Sequence, residues 1–152
     1  MKAAVSPEIS VTNRQRKVAC QPDELGRFAR RAVSLCLHER SRGTGLSSLE
    51  QIQVLLVSDR RISQLHRRFM GIDGPTDVIT FQHGEIFISA ETARRQAQTH
   101  RTSLEHELRL YLVHGLLHLQ GLDDRSPADR RLMEVAQERI VILAAGDRRL
   151  NP

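Results

Sequence analysis

The spacing of hydrophobic positions changes several times along the chain, and each change marks an element. Glu8 to Thr12 alternates weakly and predicts a first strand. Pro22 and Asp23 open a stretch in which Leu25, Phe28, Ala29, Ala32, Leu35 and Cys36 fall at helical spacing. That helix is expected to end near Glu39, before a loop signal made of Ser41, Gly43, Thr44 and Gly45. Ile52 to Val57 is short and aliphatic, as a buried strand is. Ser58 and Asp59 are helix-capping types, and the helix they open carries Ile62, Leu65 and Phe69 until Gly71, Gly74 and Pro75 break it. Two short strands follow, Val78 to Phe81 and Glu85 to Ser89, around a turn containing Gly84.

Helices account for the rest. Ala90 to about His100 is polar and exposed in character. From Ser103 to Leu119 the leucines, with Val113, surround nearly the whole circumference, the pattern of a buried helix. Ser126, Pro127 and Asp129 form an N-terminal cap signature for a last helix through Leu132, Met133, Ala136, Ile140 and Leu143 to Gly146. The order β-α-β-α-β-β-α-α-α implies an α+β (mixed α/β) fold. Its sheet is small and mixed, of about four strands, and is covered by helices. One domain spanning residues 1–152, with flexible ends, is the expected organisation.

Composition refines this picture in a few places. At 39% hydrophobic and 3% aromatic over 152 residues, one aliphatic core is within reach. No apolar run approaches the roughly 20 residues of a membrane span. The opening MKAAVSPEIS lacks the apolar stretch of a secretory signal. Cys20 and Cys36 form no CxxC pair and read as reduced thiols that pack helices in a cytoplasmic protein. The net charge of +5 favours polyanions, which modestly raises the expectation of a nucleic-acid partner.

The chemistry concentrates in HGLLHLQGLDD, His114 to Asp124. On a helix, His114 and His118 share one face a turn apart, so two imidazoles can meet one transition metal. Gly121 can end the helix in a left-handed conformation and let Leu122-Asp123-Asp124 turn back. Asp124, six residues past His118, is the better third ligand. Three protein ligands plus an open position is the catalytic arrangement of zinc. The plainer alternative is a pair of buried histidines hydrogen-bonded to backbone, and spacing alone leaves it open.

HGLLHLQGLDD resembles the HGxLHLxGxDH signature of the YbeY family of bacterial endoribonucleases. Pro75 to Phe81, PTDVITF, resembles that family's PTDVLSF strand, and Gly84 to Ser89, GEIFIS, its GDIVIS strand. Leu65 to Asp73, and Met133 with Gln137-Glu138, fit as well, so the resemblance covers nearly the whole chain. It implies a YbeY-type fold and one zinc ion on three ligands. It also implies RNA cleavage, with a part in small-subunit ribosomal RNA maturation and ribosome biogenesis. The family's third ligand is usually His, where this chain has Asp124. A carboxylate binds zinc at a similar distance, makes it a weaker Lewis acid, and opens the site to other divalent metals. A family arginine is replaced by Met70, which leaves Arg67 and Arg68 as the expected phosphate contacts.

Rival readings differ in what they ask of the residues. Zinc proteases with HExxH take their base from the second position, which is Gly115 here, so peptide hydrolysis is disfavoured. Glu107, on the face of His114, reads as a core-edge carboxylate more readily than as a partner of the site. Thr76 and Asp77 read as turn chemistry before a strand. An RNA hydrolase, a metalloprotease, and a ribosome-associated RNA-binding factor with a structural metal are the three functions to separate.

Overall fold

The computed structural model describes residues 6–40, 43 and 45–146. Its elements are β1 (Glu8–Asn13), α1 (Pro22–Cys36), a short 3-10 turn (Gly45–Ser48), β2 (Gln51–Val57), α2 (Asp59–Met70), β3 (Val78–Phe81), β4 (Glu85–Ser89), α3 (Ala90–His100), α4 (Leu104–Gln120) and α5 (Pro127–Ala144). The expected element order is therefore observed, in an α+β architecture. Ser41 and Thr44 of the expected loop, and both chain ends, lie outside the described residues.

One mixed sheet runs in the order β1-β2-β4-β3. β1 pairs parallel to β2 and β2 parallel to β4, while β3 returns antiparallel on β4, with Ile79 opposite Phe87. β3 is thus an edge strand. Because alternate residues of a strand face opposite sides, the sheet divides its side chains between two clusters. Ile52, Val54, Leu56, Ile86 and Ile88 join the large core beneath α1, α4 and α5. Val57 and Ile79 join a small cluster with Ile62 and Leu65 of α2, against which Leu55, Phe81 and Phe87 pack.

Capping follows the sequence closely. The side chains of Ser58, Ser89, Ser103 and Ser126 each accept a hydrogen bond from a backbone N–H in the first turn of the following helix. A cap of this kind contributes about 1 kcal/mol. Asp59, at the start of α2, ties that helix to α3. Its carboxylate accepts from Ser89 Oγ at 2.6 Å, Thr92 Oγ1 at 2.7 Å and Arg95 Nη1 at 2.6 Å.

Several expectations need correction. Phe69 shares a helical face with Ile62 and Leu65 yet is 56% exposed, because the four-residue edge strand β3 offers only Phe81 to meet it. Leu132 is exposed as well, since the inward stripe of α5 is Met133, Ala136, Ile140 and Ala144, which turns residue 132 away. α3 is polar only on its outer face; Ala90, Thr92, Ala93 and Ala97 are buried. α1 stops at Cys36, and turn hydrogen bonds carry the chain on to Glu39. Cys36 is buried in the core, and that burial pushes its thiol pKa up. Cys20 is also a free thiol, but it lies in the connection before α1 beside the Gln15 amide rather than on a helix.

Candidate metal centre

α4 runs through the middle of the molecule, in contact with α1, α3, α5, β3 and β4. Its apolar circumference makes it the common wall of several layers, so a polar side chain on it is half-withdrawn from water and needs partners. The helix ends at Gly121, whose φ of 107° suits only glycine without strain. The Gly121 N–H bonds His118 O, and the Leu122 N–H reaches back to Leu117 O, closing the helix and reversing the chain. Asp123 accepts from the Arg125 N–H, while the Asp124 carboxylate faces the two histidines.

The three predicted ligands meet. His118 Nε2 stands 3.0 Å from His114 Nε2, and each is 3.7 Å from Asp124 Oδ2. Among the described residues this is the one such group of His, Cys, Asp or Glu side chains able to hold a metal ion. A point equidistant from the three atoms lies about 2.0 Å from each, which matches the ~2.0–2.2 Å of zinc bonds to nitrogen and carboxylate oxygen. The hydrogen bonds around the rings also fit a cation. His114 Nδ1 donates to Gln137 Oε1 at 3.0 Å, which leaves the Nε2 lone pair facing inward. Burial, reinforced by neighbouring His114, lowers the pKa of His118 against the opposing pull of Asp124 and a backbone bond to Leu122. A neutral imidazole is the metal-binding form.

Gly115, beside His114, fills the place of a protease's glutamate. A Cβ there would lie 2.9 Å from Ile86 Cγ2 and 3.1 Å from Thr80 Oγ1. Any side chain at this position would force Ile86 or Thr80 to shift, a glutamate more than an alanine. His114 also separates two pockets. One, of about 240 Å³, contains His114 and His118 and is bounded by Met70, Thr80 and Gln82. The other, of about 300 Å³, lies between Asp77, His100, Tyr111 and Gln137.

The remaining candidates fall outside the ligand triangle. Glu107 is 2% exposed at the core edge and accepts from Thr102 Oγ1 at 2.7 Å. Burial opposes its charge, but hydrogen bonds from Thr102, His100 and Tyr111 outweigh this and hold its pKa below the usual value. Asp77 accepts from the Val78 N–H at 2.8 Å, as turn chemistry requires, and Thr76 Oγ1 points to the same carboxylate. Arg67 and Arg68 occupy the last turn of α2, next to Met70 of the metal-side pocket. Arg67 faces Asp73 at 3.8 Å with both side chains in water, and the Arg68 guanidinium lies 5.3 Å from the centre of the Phe69 ring. Reading the sequence for chemistry missed Gln137 as the partner of His114. Its only local signal is a polar residue directly after Ala136 on the buried side of α5.

Comparison with known proteins gives a consistent result. The family model described as Endoribonuclease YbeY matches residues 10–144. Endoribonuclease YbeY of Anaeromyxobacter sp. is 44% identical over 93 residues, covering 55% of this chain and 48% of that protein, so the match spans about half of that relative. Endoribonuclease YbeY of Thermus thermophilus is 36% identical over 126 residues, covering 75% of this chain and 87% of that protein. The solution structure of a Thermotoga maritima protein superposes with a TM-score of 0.64 at 25% identity, over 95% of this chain and 93% of that one.

Proposed function

The chain belongs to the endoribonuclease YbeY family, and on that premise we propose that it is an RNA endonuclease of ribosomal RNA processing whose site is one zinc ion held by His114, His118 and Asp124. The observation that carries this assignment is the triangle of Nε2, Nε2 and Oδ2 atoms, with its equidistant point about 2.0 Å from each. When bound, the ion supplies Lewis acidity toward water and phosphoryl oxygen at neutral pH. The carboxylate of Asp124 moderates that acidity and opens the site to other divalent ions.

The protein's own groups do the rest. Gln137 fixes the tautomer and orientation of His114 through its 3.0 Å hydrogen bond. Arg67 and Arg68, exposed at the end of α2, contact the RNA phosphates; the solvated Arg67–Asp73 pair is worth too little to hold Arg67 back. The net charge of +5 draws a polyanion to the surface. Ribosomal RNA and the small ribosomal subunit are the partners in this reading. No helix among the described residues is long and apolar enough to cross a membrane, and the proposed place of action is the cytoplasm. Residues 1–152 act as one domain.

A peptidase built on the HExxH plan is opposed by Gly115, which supplies no base and whose close packing on Ile86 and Thr80 disfavours a glutamate there. The decisive experiment is elemental analysis of protein purified without chelator, beside cleavage of single-stranded RNA, in the parent and in His118→Ala. About one zinc per chain and metal-dependent cleavage are expected, both lost in the variant. Metal-free parent protein, prepared with zinc available, would remove the site. Zinc-loaded protein that binds RNA but never cuts it would make the chain a binding factor with a structural metal.

A further inference from the structure

The end of α2 exposes three apolar side chains together: Phe69, Met70 and Ile72 are 56%, 49% and 51% accessible. The first of them sits on a framework of rings. Phe69 meets Phe81 edge-on with centroids 5.0 Å apart, and Phe81 stacks on the His83 imidazole at 5.8 Å with 22° between the planes. Phe81 is anchored below by an edge contact to Phe87 at 5.7 Å. The chain then places adjacent residues on two sides of one ridge. Phe69 and Phe81 belong to the ring patch, while the next residue of each, Met70 and Gln82, lines the cavity of His114 and His118. The aromatic patch is the rim of that cavity.

We propose that Phe69, braced by Phe81, is a stacking subsite for one nucleobase of single-stranded RNA whose phosphodiester lies in the His114–His118 cavity. The inference rests on the nuclease reading above and names the substrate contact beside its metal. Charge selects the occupant. α2 carries Arg60, Arg61, Arg67 and Arg68 against a single acid, Asp59, whose charge is already matched by Arg95. The Arg68 guanidinium lies over the Phe69 ring, so a phosphate-binding cation and an aromatic surface are offered together. Size agrees. A stable protein interface needs about 20–30 residues a side, whereas three exposed apolar side chains suit a single base.

The chain contains no tryptophan, so Phe69→Trp introduces a single tryptophan at the subsite, excited selectively over Tyr111. The protein is titrated with a ten-nucleotide 2′-O-methyl oligoadenylate, whose integrity is checked after the titration, and separately with inorganic polyphosphate of equal charge. The oligonucleotide is expected to quench the tryptophan, and the base-free polyanion to leave it unchanged. Phe69→Ala should weaken the oligonucleotide roughly 5- to 150-fold, the range for losing one stacked base, with polyphosphate affinity preserved. Phe69→Tyr should restore the oligonucleotide affinity. Equal quenching by both polyanions, or unchanged oligonucleotide affinity in Phe69→Ala, would overturn the subsite. Parallel assays on unmodified RNA separate the two readings. Cleavage that ignores residue 69, with no stacking signal, removes the subsite alone. Base-specific quenching without cleavage supports the subsite and removes the nuclease assignment.

Discussion

Gly115 of α4 lies so close to Ile86 of β4 that a Cβ at residue 115 would stand 2.9 Å from Ile86 Cγ2 and 3.0 Å from Cδ1. Ile86 is fully buried, so any shift it makes is against its neighbours in the core. This close approach presses the helix that carries His114 and His118 onto the sheet and sets the depth of the histidines beside it. Gly115→Ala gains about 1 kcal/mol of helix propensity but incurs an overpacking cost of about 1–3 kcal/mol, so a net loss of up to about 2 kcal/mol is expected. Gly115→Glu adds an unpaired buried acid and should lose about 3–5 kcal/mol. Urea denaturation midpoints measure both. A stable Gly115→Glu protein with new peptidase activity would refute the steric argument.

Gln137 should behave as a positioning residue for His114. Replacing it with Leu leaves the His114 Nδ1–H without its acceptor, 3.0 Å away. Metal affinity is expected to fall about 10- to 100-fold, read by competition with a chelating dye. Gln137→Glu keeps an acceptor and should retain the metal. If Leu and Glu weaken binding equally, the hydrogen bond does not tune the ligand.

Much of this fold is written locally, and what is not local was not legible. Period and capping chemistry located every strand and helix described, because a serine cap or a glycine stop acts within one turn. His114, His118 and Asp124 were legible for the same reason: one helical turn and one glycine-ended reversal bring them together. Strand order was not, since alternation says which face a residue takes but not that β4 inserts between β2 and β3. Gln137 lies 23 residues from His114 and Asp59 lies 33 from Thr92. Such pairs exist only after packing. Phe69 misled for a related reason, because helical spacing reports a shared face and not whether a neighbour covers it.

Acid should loosen the junction of α2 and α3. Burial raises the pKa of Asp59, but hydrogen bonds from Arg95, Ser89 and Thr92 outweigh it and hold the value below 3.8, its ordinary value. A carboxylate whose pKa is lower in the folded state contributes stability that is fully present above its unfolded pKa and lost as pH falls through the folded one. The loss is thus expected below about pH 4. Asp59→Asn should cost on the order of 2 kcal/mol near pH 7 and flatten this part of the acid limb. Thermal unfolding from about pH 7 to about pH 2.5, which brackets the ordinary aspartate pKa, tests it; parallel curves for the two proteins would contradict the assignment.

Asp124 is the proposed ligand with the least support from sequence, and substitutions there discriminate its possible roles. Its Oδ2 is equidistant, at 3.7 Å, from the two histidine nitrogens, which suits the proposed shared ligand better than a hydrogen-bond partner to one ring. The side chain is 41% exposed, so its removal should leave the fold intact. Asp124→Ala is expected to lose more zinc affinity than the roughly 10- to 100-fold typical of an outer hydrogen-bond partner. Asp124→His should keep zinc while discriminating more strongly against manganese and magnesium, because imidazole is the softer donor. Competitive titration of the three proteins with zinc and manganese reads both effects. Zinc affinity in Asp124→Ala within about tenfold of the parent, the lower bound for an outer partner, would remove Asp124 from the ligand set and leave a two-histidine site.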